Sequence, residues 1–370
     1  MFSPEHIIVG LSGGVDSAVA ALLLVEQGHR VEGLFMRNWE DDDTDTYCSA
    51  EADLRDARSV CAELGIPLHQ VNFAAQYKAR VFEHCLAEFR AGRTPNPDVL
   101  CNRHIKFRAF LDHARRLGAA RVATGHYAGT ARRRGRVQLL QAADPGKDQT
   151  YFLHLLDQSQ LAAARFPLAG LPKTEVRRLA EDAGFLNCDK KDSTGICFVG
   201  ERDFTDFLSR YIEASPGDIV TTDGELLGRH RGLPFYTIGQ RRGLAIGGPG
   251  EPWYVVAKDL ARNVLIVGQG HDHPALLSSS LETEVAAWIA GTAPALPMHC
   301  TARLRHRQPQ QPCRVRALAG GWLRVEFDQP QRAVTPGQSV VFYQGDTCLG
   351  GAPVRQALAG IAGERQLGVG

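Results

Sequence analysis

GLSGGVDS, residues Gly10 to Ser17, follows the apolar run HIIV and precedes the helix-like stretch AVAALLLVE. A glycine-rich turn between a strand and a helix lets backbone amides face an anion at the positive end of the helix dipole. This is a place for phosphate. It lacks the GK[ST] ending of a Walker loop, and with it the lysine that reaches terminal phosphates. It also lacks the GxGxxG spacing of dinucleotide binders.

Outward from the loop, short apolar runs alternate with amphipathic ones up to about Gly125, the pattern of βα units around a parallel sheet. HIIVGL, VEGLFM, PLHQVNF and RVATG read as strands. Ser17 to Glu26, Ala52 to Leu64, Tyr77 to Arg90 and His104 to Leu117 read as helices, the first two ended by Gly28 and Gly65. Beyond about residue 200 a helix is expected over Phe204 to Ile212, then glycine and proline rise and FYTIG, WYVVAK and VLIVGQ read as strands. From Leu281, the runs EVAAWIA, HCTARLRHR, CRVRALAG, GWLRVEF and SVVFYQGD predict a small β-barrel or sandwich. We divide the chain into an α/β parallel-sheet domain over 1–200, a small central domain over 201–275 and a C-terminal β-barrel over 276–370.

At 370 residues the chain exceeds one compact core. Its start lacks the basic flank and long apolar core of a signal peptide, and the longest apolar run, Ala18 to Val25, is far short of the roughly 18 residues of a membrane helix. The expectation is a cytoplasmic protein without a membrane segment. The net charge is +1, but basic residues cluster at ARRRGR (131–136), GRHRG (228–232), GQRRG (239–243) and RLRHR (303–307). Such patches can hold a phosphate backbone or sit as solvated hairpin tips. The acidic loop EDDDTD after the second strand reads as solvated.

The nine cysteines include no CxxC pair, which weighs against zinc-ribbon and thioredoxin-type sites. Cys61 and Cys85 fall in helices and Cys300, Cys313 and Cys348 in or beside strands, so buried packing is their default. Cys48 and Cys188 have no comparable setting and take no role. Cys101, in PNPDVLCNRHIKF, has Arg103, His104 and Lys106 close by and opens a helix, features that favour thiolate. Cys197, in the glycine-containing loop DSTGICFVG, follows Lys190 and Lys191.

SGGxDS resembles the signature of the PP-loop ATP pyrophosphatases, a group with an adenine nucleotide alpha hydrolase-like fold that splits ATP between its α and β phosphates and adenylates a carbonyl oxygen. That resemblance implies ATP binding by Gly10, Leu11, Ser12, Gly13, Gly14, Val15, Asp16 and Ser17, with Mg2+ alongside. It places adenosine near Met36 and Gly125, where the rule that ligands lie beyond strand carboxyl ends also points. For Met36 ordinary packing is the plain alternative.

SGGVDSAVAALLL, NPDVLCNRHIKF, ATGHYA, KDQTYFL, DSTGICF and YTIGQRRGL, in this order across nearly the whole chain, resemble the tRNA-specific 2-thiouridylases, the MnmA family. The resemblance implies ATP-dependent sulfur insertion at C2 of the wobble uridine in tRNAs for Lys, Glu and Gln. It implies that Cys197 carries a persulfide, that Cys101 releases its sulfur and ends in a Cys101–Cys197 disulfide, and that Asp98 serves as general acid or base. Asn96, Pro97 and Asp98 then meet the target base, while Lys147, Asp148, Gln149, His126, Arg305, His306 and Gln338 match tRNA-contact positions. His306 stands where the family often has tyrosine. The implied partners are tRNA and a persulfide donor, either a sulfur-relay protein or a cysteine desulfurase. An iron–sulfur cluster held by Cys101 and Cys197 with another ligand stays open, as do two rival readings: a ligase passing the adenylate to nitrogen, and a tRNA binder with a vestigial loop.

Overall fold

Strand β1 (His6–Gly10) is fully buried after its first residue, as a central parallel strand covered on both faces must be. The computed structural model describes residues 3–40, 49–191 and 203–358. Helix α1 (Val15–Glu26) leads to β2 (Arg30–Arg37), and α2 (Ser49–Leu64) leads to β3 (Leu68–Asn72). Two long helical segments follow: α3 over 74–90 and α4 over 97–116, each with a π-helical stretch inside it, at Lys78–Phe82 and Asn102–Ala109. Strand β4 (Arg121–Ala123) precedes a hairpin of β5 (Gly129–Arg133) and β6 (Arg136–Leu140). Helices α5 (Thr150–Leu153) and α6 (Gln158–Ala163), strand β7 (Ala164–Arg165) and α7 (Lys173–Asp182) complete the first part.

The parallel sheet runs β3-β2-β1-β4-β7. Its order reverses at β1, which pairs with β2 on one side and β4 on the other. The crevice beyond the carboxyl ends of β1 and β4 is thus the switch point where α/β sheets take ligands. The expected α/β domain is present.

The central part packs α8 (Phe204–Leu208) with β8 (Gly217–Thr221), β9 (Leu226–His230), β10 (Trp253–Asp259) and β11 (Val264–Gln269), in the order β10-β11-β8-β9. The helix is shorter than the expected Phe204 to Ile212. FYTIG is not a strand. Leu233–Phe235 form a 3-10 turn, because Pro234 and the positive φ of Gly232 (146°) and Gly239 (83°) break an extended ladder.

The C-terminal part is a closed barrel of six strands: β12 (Leu277–Thr283), then β14 (Met298–Arg303), β15 (Gln311–Ala317), β16 (Leu323–Arg332), β17 (Ser339–Gln344) and β18 (Thr347–Leu358), with the short β13 (Ala287–Trp288) against β18. Pairing of β12 with both β16 and β18 closes it. Leu281, Val315, Val325, Val340 and Phe342 fill its interior. The hairpin β5–β6, although early in the chain, joins this sheet through β6 and β18 (Thr347 opposite Leu140, Cys348 opposite Leu139). Its tip is Arg134–Gly135, so ARRRGR is an exposed turn.

Candidate active site

The turn after β1 is held open from within. Ser17 Oγ donates to Gly14 O (2.8 Å) and accepts from Ser12 N (3.2 Å), while Gly14 caps α1 with no side chain on the helix's first amides. Those amides are left for an anion. Gly13 has φ +76°, and a Cβ there would sit 2.5 Å from Asp53 O. Gly125, just past β4, lies against the start of α1: a Cβ would meet Asp16 C at 2.6 Å and Ser17 N at 2.7 Å. Gly10 packs beside Met36 Cε and Phe110 of α4, where a Cβ would lie 3.4 Å and 3.2 Å away. Leu11 and Val15 are buried and serve the loop through backbone and packing.

Several residues that the sequence did not single out support this loop. Asp16 Oδ1 accepts from Lys173 Nζ (2.6 Å) and from Tyr127 OH (2.8 Å). Asn187 Nδ2 donates to Gly13 O at 2.9 Å. Lys190 Nζ reaches Gly13 O (3.3 Å), Asp53 (2.7 Å) and Asp56 (2.5 Å), and that pairing holds its ammonium against the loop. Only the position of Lys173 at the start of a helix after a proline hinted at any of this. Residues 192–202, with Cys197, lie outside the described residues, as does Cys48.

The second focus is the start of α4. Asn96 Oδ1 caps it by accepting from Val99 N (3.4 Å), and Pro97 takes the first helical position, where its missing N–H costs nothing. Asp98 and Cys101 therefore stand in the opening turns of a helix. Cys101 opens a helix as expected, but the expected thiolate setting meets burial: it is 1% exposed, because it falls on the inward face with Val99 and Ile105. Burial raises the Asp98 carboxyl above the ordinary carboxylate range, partly offset by Lys106 and His306.

The Asn96–Asp98 segment is gripped by the barrel. Gln338 Nε2 donates to Thr94 O (2.9 Å) and Pro95 O (3.1 Å), and Thr94 N donates to Pro336 O (2.9 Å). Arg305 donates to Arg332 O and Ala333 O beside a cavity of about 450 Å3 that Gln338, Thr237 and Gln240 also line. His306 is tilted over Phe152, with centroids 4.5 Å apart, and its Nε2 lies 2.8 Å from Asp148 O. His126 is buried beside Phe107 and Phe166, with Nδ1 2.8 Å from Thr124 Oγ1, and burial keeps it neutral.

Asp148, expected at the RNA, is instead a buried structural anchor. Its carboxylate takes bonds from Arg303 (2.7 Å), Thr150 Oγ1 (2.8 Å), Gln141 (3.1 Å) and Ala142 N (3.1 Å), which leaves no oxygen facing solvent. Its neighbour Gln149 accepts from Tyr127 N (2.9 Å), and Lys147 lies half-buried on the same turn.

Of the other described thiols, Cys300 and Cys313 face each other across β14 and β15 with their sulfurs 3.7 Å apart, a contact that lowers the Cys300 thiol and raises that of Cys313. Burial pushes Cys61 up to about 11 and Cys85 and Cys348 up to about 12. Among the described residues no group of three or more His, Cys, Asp or Glu could hold a metal ion, and no helix is long and apolar enough to cross a membrane.

Family models match in three consecutive stretches: a tRNA methyl transferase HUP domain over 5–201, a tRNA methyl transferase PRC-barrel domain over 205–269 and an aminomethyltransferase beta-barrel domain over 278–354. A tRNA-specific 2-thiouridylase MnmA of Methylococcus capsulatus is 61% identical over 355 residues, covering 94% of this chain and 96% of its own. Proteins of the same description from Alkalilimnicola ehrlichii (59%, covering 96% and 98%) and Pseudomonas aeruginosa (56%, covering 98% and 97%) are similar along their whole lengths.

Proposed function

The chain belongs to the tRNA-specific 2-thiouridylase family, and on that premise we propose how its residues carry out ATP-dependent 2-thiolation of tRNA uridine. The target is the wobble uridine of tRNAs for Lys, Glu and Gln. One observation carries the reading: a single helix, α4, links the two foci. Its first turn presents Asp98 and Cys101, Phe107 meets His126 just past β4, and Phe110 packs at Gly10, the mouth of the phosphate loop.

The amides of Gly10–Ser17 hold the phosphates of ATP, with Met36 and Gly125 beside the adenosine. The uridine C2 oxygen attacks the α phosphate and pyrophosphate leaves, which converts a poor electrophile into one with AMP as leaving group. Asp16 fits a Mg2+ role through Oδ2, since Oδ1 takes both Lys173 and Tyr127; the ion would neutralise phosphate charge.

The outer sulfur of a Cys197 persulfide then attacks C2. Cys101 Sγ attacks Cys197 Sγ, the S–S bond to the outer sulfur breaks, AMP departs, and the Cys101–Cys197 disulfide awaits a two-electron reductant. A sulfur-relay protein or a cysteine desulfurase reloads the persulfide. Asp98 exchanges a proton with the uracil, Asn96 and Pro97 border the base, and Lys147, Gln149, His126, Arg305, His306 and Gln338 line the approach of the RNA. The burial of Cys101 requires the base, or the segment carrying Cys197, to open this face before the sulfurs meet. With purified protein, ATP and a persulfide donor, Cys101→Ser and Cys197→Ser should each abolish thiolation of an anticodon stem-loop, read by mass spectrometry, while ATP binding persists. Full activity in either variant would sink the two-cysteine route.

A further inference from the structure

Away from both foci, α3 and α4 turn basic side chains toward each other. Arg80 and His84 are one helical turn apart on α3, and Arg103, His104 and Arg108 project from α4. Together with Asp157 they line a cavity of about 540 Å3, a size that takes a nucleotide-scale ligand. Asp157 offsets only part of that charge: its carboxylate feels Arg108 while it caps α6, accepting from Gln160 N (2.9 Å) and Ser159 Oγ (2.7 Å). Gln160 is equally committed, with its Nε2 donating to Arg103 O at 2.9 Å. No described carboxylate forms an ion pair with Arg80, Arg103 or Arg108. Three guanidinium forks thus face one space against a single carboxylate, Asp157, and planar forks suit phosphate oxygens well.

We propose that this cavity is a second phosphate-binding site, separate from the loop at Gly10–Ser17. None of its lining residues belongs to that loop or to the Asn96–Asp98 segment. The phosphate comes either from the tRNA backbone or from a free diphosphate. Burial and the surrounding Arg103, Arg80, His84 and Arg108 lower the affinity of His104 for protons, and an anion seated there would raise it again. Because α4 carries Arg103, His104 and Arg108 a few residues beyond Cys101, an occupied cavity steadies the helix that bears the chemistry.

The test uses the full-length protein with Arg80→Gln/Arg108→Gln, beside Arg115→Gln/Arg116→Gln as a control of equal charge at the exposed end of α4. Anisotropy of labelled tRNA is followed against salt, and inorganic pyrophosphate is titrated calorimetrically with the nucleotide loop saturated by a non-hydrolysable ATP analogue. If the backbone supplies the phosphate, tRNA affinity falls about tenfold and the log–log salt slope becomes shallower by about 1.5 to 2, with the control unchanged. If the ligand is a free diphosphate, pyrophosphate binding is lost and tRNA affinity holds. Either result supports the site. No change in either arm, or an equal loss in the control, overturns it. Arg80→Lys/Arg108→Lys keeps the charge but loses the planar forks, so it should bind more weakly than the unaltered chain and more tightly than the glutamine variant; weakness equal to the glutamine variant also overturns it. The tRNA arm rests on the substrate reading above. A chain that binds no tRNA at any salt refutes that reading, while the pyrophosphate arm still decides the cavity.

Discussion

At Asp98, burial and two cations pull in opposite directions, and burial prevails. A carboxyl whose folded pKa lies above its unfolded value holds its proton longer in the folded state, so stability falls as pH rises from the ordinary carboxylate range through the raised value. Above the raised value the ionised group is then a burden that the site carries for its chemistry. Asp98→Asn should melt higher than the unaltered chain at pH 7, lose that gain near pH 4, and lose thiolation at both. An equal melting difference at the two pH values would refute the linkage. The surrounding residues show how unevenly the site could be read in advance. The phosphate role proposed for GLSGGVDS is legible in its glycine spacing and its place between strand and helix, because turn chemistry is local. The burial of Cys101 and the consumption of Asp148 by Arg303 depend on groups far away in sequence, which no local pattern encodes.

Among the elements, the parallel strands and their helices were legible because apolar periodicity and glycine stops act within single segments. FYTIG was misread because its alternation suits a strand, while Pro234, Gly232 and Gly239 demand turns. Strand β10 offers a sharper case. Its Lys258 donates to Gly92 O at the end of α3 (3.0 Å), and burial brings the amine down to about 8. Between about pH 8 and 10.4 the unfolded chain keeps a proton that the folded chain has released, so unfolding free energy rises with pH across that window, and below it the penalty is constant. Lys258→Met should flatten that rise. It should also stabilise the protein at pH 7 by at most about 3 kcal/mol, less the lost bond to Gly92. Denaturant midpoints at pH 7 and pH 10 test this, and an unchanged pH dependence in the variant would discount Lys258 as its source.

For the whole molecule, the site is an assembly of distant segments: Thr94 from the first part, Thr237 from the second and Pro336–Gln338 from the third converge on the Asn96–Asp98 turn. Gly337 makes this possible. Its φ is +91°, and a Cβ would sit 2.9 Å from both Thr94 N and Thr94 O. Gly337→Ala should therefore push the turn and lower the thiolation rate at least tenfold. ATP affinity should stay within about twofold, because the phosphate loop is built on β1 and α1. A matched fall in both, by single-turnover assay and nucleotide titration, would mean that the barrel supports the whole sheet instead.

The shared sheet of β6 and β18 also sets a timetable for synthesis. Leu139 leaves the ribosome long before Cys348, its strand partner, and at roughly 5 to 20 residues per second the wait is on the order of 10 to 40 s. Through that interval β6 offers a vacant strand edge to any neighbouring nascent chain. Gln158 already occupies part of it by bonding both the N–H and the carbonyl of Val137, and the arginines of β5 and the hairpin tip repel a second copy. The early half of this chain is thus built to wait in the cell for its own end.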